Sequence, residues 1–196
     1  MHKRTVRGVG YDTGGEYQRT TSGELIHAYI TWSDMFRRCY DAKYHLRRPS
    51  YSQCTVAECW HDFQVFAAWY YNHPHYGLGY QLDKDILVRG NTVYSPETCA
   101  LVPRVLNMAI TGGRVKGLPQ GVIRNHGSYT ARIARFGKGA QYLGTFKTIE
   151  EAATCYRIAK EQYIRSLAQE YKHDLEYAVY VQLCNWTLVE DSDGDS

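Results

Sequence analysis

The sequence predicts an α+β protein in two lobes. A helical N-terminal lobe ends in a hairpin followed by a helix, and a three-stranded antiparallel sheet packed on one helix comes after it. Three observations carry this reading. Apolar residues recur at helical spacing in two stretches before residue 71, a glycine-punctuated strand-strand-helix pattern covers 80–107, and three short alternating runs between glycines precede a strongly signalled helix at 148.

Residues 1–28 mix glycine, threonine and basic side chains without lasting periodicity, which predicts an extended arm or loosely packed hairpin. Thr31 then precedes Trp32, Met35, Phe36, Cys39 and Tyr40, one apolar face of a helix. Thr55 opens a second helical pattern through Val56, Cys59, Trp60, Phe63, Ala67 and Tyr70. From Gly77 a run to Val88, a turn at Arg89-Gly90-Asn91 and a second run Thr92-Val93-Tyr94 read as a hairpin. Ser95-Pro96-Glu97-Thr98 has the proline and early acid of a helix start, so a helix is expected to follow to Asn107.

Residues 111–119 read as a basic linker containing Arg114 and Lys116. Beyond it, 121–124, 128–136 and 141–146 are the three strands of the sheet. Thr148-Ile149-Glu150-Glu151 is a capping box, and Ile149, Ala152, Ala153, Tyr156, Ala159, Tyr163 and Leu167 form the stripe that covers one sheet face. The pattern of 175–189 does not separate helix from strand. The domains expected are therefore 1–110 with its arm, the linker 111–119, a sheet-helix module at 120–170, an extension at 171–189 and a disordered acidic tail at 190–196.

With 196 residues, 44% of them hydrophobic, the chain has enough apolar material for one core or two small ones. No uncharged apolar run approaches the roughly 20 residues of a membrane span, and no signal peptide opens the chain, so a soluble, cytoplasmic protein is expected. The six dispersed cysteines read as reduced thiols, and Cys54, Cys59 and His61 lack the second half of a structural zinc site. A net charge of +3 is uninformative, but its distribution is not. Eight basic residues and no acid lie between Pro103 and Lys147, whereas 174–196 contains six acids and no Lys or Arg. The first stretch suits a polyanion.

Strand alternation sharpens this. If Tyr129, Ala131 and Ile133 pack beneath the helix, Thr130, Arg132 and Ala134 point outward, and small neighbours let Arg132 approach a duplex. Arg132 is the base-contact candidate, with Arg124, Asn125, Arg135, Lys138, Arg114 and Lys116 as further DNA-binding candidates.

The segment from Gly121 to about Ala168 resembles the Apetala-type or ethylene-response-factor domain of plants and its phage and bacterial relatives. The resemblance rests on Gly121-Val122, the pattern Tyr129 to Ile133, Tyr142-Leu143-Gly144-Thr145-Phe146, and Thr148 through Glu151-Ala152-Ala153 to Tyr156. It implies DNA-facing positions for Arg132 and Tyr142. Plant members place tryptophan at the position of Tyr142 and arginine at that of Ile123.

The stretch Tyr80-Gln81-Leu82-Asp83-Lys84-Asp85-Ile86, the Gly90-Asn91 turn, Tyr94 to Cys99, Val102-Pro103 and Asn107 resembles the HNH-type endonuclease lobe of phage proteins, a ββα-metal hairpin-helix. Those proteins commonly join it to an Apetala-type domain in this order. The resemblance implies metal-dependent hydrolysis of DNA, with Asp83 as first metal ligand and Asn107 as last. Asp83 and Asp85, two apart on an expected strand, share a face and with Asn107 offer oxygens suited to Mg²⁺ or another divalent cation, with no organic cofactor. Lys84 stands where the HNH general-base histidine would be, and Thr98 where the central asparagine would be. A lysine stays protonated near neutrality unless strongly desolvated, so in a catalytic set of Asp83, Lys84 and Asp85 it would steady phosphate charge.

Three functions follow as expectations: a DNA endonuclease of phage or mobile-element type, acting in the host cytoplasm if phage-encoded; a non-catalytic, sequence-tolerant DNA-binding protein with a degenerate HNH lobe; or an interaction protein whose acidic tail mimics DNA or shields the basic lobe. Double-stranded DNA is the partner in the first two. Oligomeric state is not encoded in these patterns.

Overall fold

The computed structural model describes residues 6–77, 79–111 and 117–188. The chain is mixed α and β, with small separate sheets, and divides into two compact units, 1–102 and 103–196. Arg114 and Lys116 of the expected linker, and the acidic tail, lie outside the described residues. No helix among the described residues is long and apolar enough to cross a membrane.

The first unit opens with a two-residue hairpin, β1 (Thr20–Thr21) and β2 (Glu24–Leu25), closed by Ser22 and Gly23. Both have positive φ, 53° and 86°, the backbone that matches strand twist in such a short turn. Helix α1 (His27–Tyr40) starts one turn before Thr31 and buries the expected face, Trp32, Met35, Phe36 and Cys39. Helix α2 (Ala42–Arg47) follows, with the Asp41 carboxylate accepting the Tyr44 N–H as its cap.

The second helix does not begin at Thr55. Thr55 and Val56 form β3, a single-turn 3₁₀ segment occupies Glu58–His61, and α3 spans Phe63–Asn72. The Asp62 side chain accepts the Gln64 N–H and fixes this later start. α1 and α3 join round Trp32, Trp60, Phe63 and Phe66, all fully buried, in a core of edge-to-face and tilted rings.

The hairpin pairs differently from the sequence expectation. Strand β4 (Gln81–Asp83) pairs antiparallel with β6 (Ala100–Val102), whereas β5 (Val93–Tyr94) pairs in parallel with β3. Side chains make this possible. Asp83 ends β4 by accepting two backbone N–H groups, and Asn91 ties the intervening loop to the Lys84 and Val93 carbonyls. Ser95–Thr98 is correspondingly a turn, not a helix start, and Ala100-Leu101-Val102 is a strand buried throughout, a run too short to show a period. The helix begins only after Pro103, as α4 (Arg104–Ile110), in the second unit.

The second unit follows its sequence closely. β7 (Val122–Asn125), β8 (Ser128–Arg135) and β9 (Gly139–Phe146) form one antiparallel sheet in chain order. Helix α5 (Ile149–Glu170) starts at a complete capping box: Thr148 Oγ1 accepts the Glu151 N–H, and the Glu151 carboxylate accepts that of Thr148. Val122, Ala131, Ile133, Ala152, Ala153 and Tyr156 make the core between sheet and helix. Gly121 enters it with φ +75°, and a Cβ there would lie 2.1 Å from the Tyr156 ring, so only glycine fits. The undecided segment, described to residue 188, contains α6 (Tyr177–Cys184), which buries Val179 and Leu183 and is bound to α5 through Arg165 and Gln169.

Candidate nucleic-acid interface

The pleat divides β8 as its composition predicts. Ala131 and Ile133 are buried beneath α5, and Arg132 and Ala134 are exposed on the opposite face. Across the sheet Arg132 pairs with Tyr142, which is 58% exposed, so a cation and a phenol stand side by side facing outward. A β-bulge between Ala131 and Arg132 shifts the register just before this pair, a device that re-aims side chains.

A short chain of hydroxyls holds Tyr142 in place. Its OH donates to Thr145 Oγ1 at 3.1 Å, and Thr145 meets the buried Thr130 hydroxyl at 3.1 Å. Thr130 is therefore an outward-facing residue that is nonetheless covered. Nothing in the linear charge pattern marks this network. Two threonines at matching positions of neighbouring strands were the available signal.

The other basic candidates take different places. Arg124 pairs with Tyr129 and rests over its ring at 5.7 Å, on the helix side of the sheet. Arg135, two residues beyond Ile133, is on that side as well, its guanidinium 5.2 Å from the Tyr163 ring centre. Neither shares the outer face with Arg132 and Tyr142. Asn125 closes the β7–β8 turn and is exposed, its carbonyl accepting the Ser128 hydroxyl at 2.6 Å, and Lys138 is exposed in the β8–β9 turn.

In the first unit Asp83 and Asp85 do not share a strand face, because β4 ends at Asp83. One oxygen of Asp83, Oδ1, accepts the N–H groups of Asp85 and Ile86, both at 2.8 Å. Burial pushes the Asp83 carboxyl above its ordinary range, and those two hydrogen bonds restrain the rise. The Asp85 carboxylate is taken by Lys84, whose Nζ donates to both oxygens at 2.8 Å and to the Asn91 carbonyl at 2.6 Å. Burial favours the neutral amine of Lys84, but its bonds to Asp85 and that carboxylate's charge outweigh this and hold it above the ordinary lysine value. Lys84 is thus a buried, protonated anchor for the loop 84–91 and is not placed to accept a proton. Thr98 ties the next turn by donating to the Val93 carbonyl at 2.8 Å.

Asn107, the remaining expected ligand, is on α4 in the second unit. Among the described residues no group of three or more His, Cys, Asp or Glu side chains could hold a metal ion. The donors that are present fit a divalent cation poorly: one Asp83 oxygen is committed to backbone N–H groups and the Asp85 carboxylate to an ammonium. Comparison with protein-family models, curated proteins and solved structures finds no match to this chain.

Proposed function

We propose that this chain is a double-stranded DNA-binding protein of the phage HNH type. In this reading the second unit grips the duplex, and the first is a degenerate nuclease lobe kept as scaffold. One observation carries it: the outward pair Arg132 and Tyr142 stands on a sheet face within a 45-residue stretch that contains no acid. A β-ribbon enters the major groove, where arginine bonds guanine through two N–H groups, and the surrounding cations neutralise phosphates. Ile123 faces outward beside Thr130, where it offers an apolar contact and no hydrogen bond, which favours sequence-tolerant binding.

Titration of fluorescent 20-base-pair duplexes at low salt tests this. Wild type is expected to bind with a steep salt dependence, and Arg132→Ala or Tyr142→Ala to weaken binding about ten-fold without loss of helix signal. No binding at low salt would end the proposal. For the degenerate lobe, incubation with supercoiled plasmid and Mg²⁺ or Mn²⁺ is expected to leave the plasmid intact. Nicking that disappears in Asp83→Ala would instead establish an active endonuclease.

A further inference from the structure

The tip of the β8–β9 hairpin gathers cations that the outer sheet face does not use. Phe136 is 48% exposed there, and the guanidinium of Arg104, from α4, rests over its ring at 5.8 Å. The Phe136 N–H donates to the Tyr163 hydroxyl at 3.3 Å, and Arg135 covers the Tyr163 ring. Lys138, two residues along the turn, is exposed. Two guanidiniums therefore lie on two aromatic rings, and a third cation stands in the adjoining turn.

Their charge is uncompensated. Among the described residues none of Arg104, Arg135 and Lys138 forms an ion pair, and Arg135 Nε is buried without a hydrogen-bond partner. Like charges held together cost free energy unless an anion joins them, and a buried donor left unmatched adds to that cost. A guanidinium lying on a ring satisfies one face with carbon and keeps its N–H edge for oxygen acceptors. Such an edge suits a phosphate.

We propose that Arg104, Arg135 and Lys138 form a second DNA contact, a sequence-independent clasp on backbone phosphates at the hairpin tip. The inference rests on the DNA-binding reading and extends it to α4, which lies before the sheet-helix module. Spacing supports a backbone ligand here. Four residue steps lead from Arg132 to Phe136, about 13 Å at roughly 3.3 Å each. With Arg132 over base edges, that distance reaches past a major groove about 12 Å wide, to where phosphates stand.

The test compares Arg104→Glu, Arg104→Lys and Lys138→Ala with Arg132→Ala in the full chain, by anisotropy on two duplexes of unrelated sequence between 50 and 200 mM salt. Arg104 and Lys138 are exposed, and circular dichroism checks that each variant keeps its fold. Lys138→Ala is expected to lower the salt slope by about 0.9, the loss of one phosphate contact, equally on both sequences. Arg104→Glu is expected to weaken binding more than ten-fold, and Arg104→Lys to retain most of it. If both Arg104→Glu and Lys138→Ala bind like wild type while Arg132→Ala is impaired, the clasp is refuted and the outer face stands. If wild type binds neither duplex, the DNA reading falls and the clasp with it.

Discussion

Lys160 is 3% exposed on α5, and burial lowers its ammonium from an ordinary 10.5 to about 8. No opposing charge offsets that desolvation. The sign of its effect is set by the unfolded chain, which binds the proton more tightly. Between pH 8 and 10.5 the unfolded state carries more protons than the folded one, so this group makes stability rise with pH across that window. Below pH 8 the full penalty is present. Replacement by an apolar side chain of similar length removes it, and Lys160→Met is expected to stabilise the second unit at pH 7 by up to about 3 kcal/mol. Urea denaturation of both proteins at pH 7 and pH 10 checks this, because the difference between them should shrink at the higher pH. A difference that stays constant would mean that Lys160 does not titrate as described.

Helix α5 shows why one half of the fold was legible. Its start is written in four consecutive residues, its stripe from Ile149 to Leu167 runs over about five turns at 3.6 residues each, and glycines separate the strands it covers. Thr148→Ala removes the capping hydroxyl and is expected to cost about 1 kcal/mol, read from the urea midpoint with an unchanged slope. A loss below about 0.3 kcal/mol would mean that the Glu151 half of the box holds the helix end alone. In the first unit the paired elements are only two or three residues long, too short for either periodicity. The loop between them is held by Asp83 and Asn91 through side-chain bonds to backbone two to seven residues away, which hydrophobic periodicity does not record. The site divides similarly. Alternation placed Arg132 on the outer face, whereas its cross-strand neighbour Tyr142 was marked by the family resemblance alone. The same alternation, continued past Ile133, turns Arg135 toward the helix, and a count of basic residues cannot separate the two faces.

Charge is segregated toward the two ends of the second half of the chain. The acid-free stretch 103–147 contains both proposed DNA contacts, whereas 174–196 holds six acids and no Lys or Arg. Leu188 packs against the core between the sheet and α5, with its N–H donated to Glu161, and eight residues follow it in sequence. Those residues include Glu190, Asp191, Asp193 and Asp195, and removing them takes the formal charge from +3 to +7. Within about 10 Å, the screening length near 0.1 M salt, four negative charges lower the local potential that attracts phosphate. Deletion of 189–196 is therefore expected to tighten binding to duplex DNA about three- to ten-fold at 50 mM salt, chiefly through faster association. Screening should reduce the difference to near nothing at 300 mM, where the Debye length is shorter. Stopped-flow association rates at the two salt concentrations distinguish this from an effect on folding, which would not vanish with salt. Equal rates for the truncated and full chains at 50 mM would show that the tail's charge does not reach the DNA-binding surface.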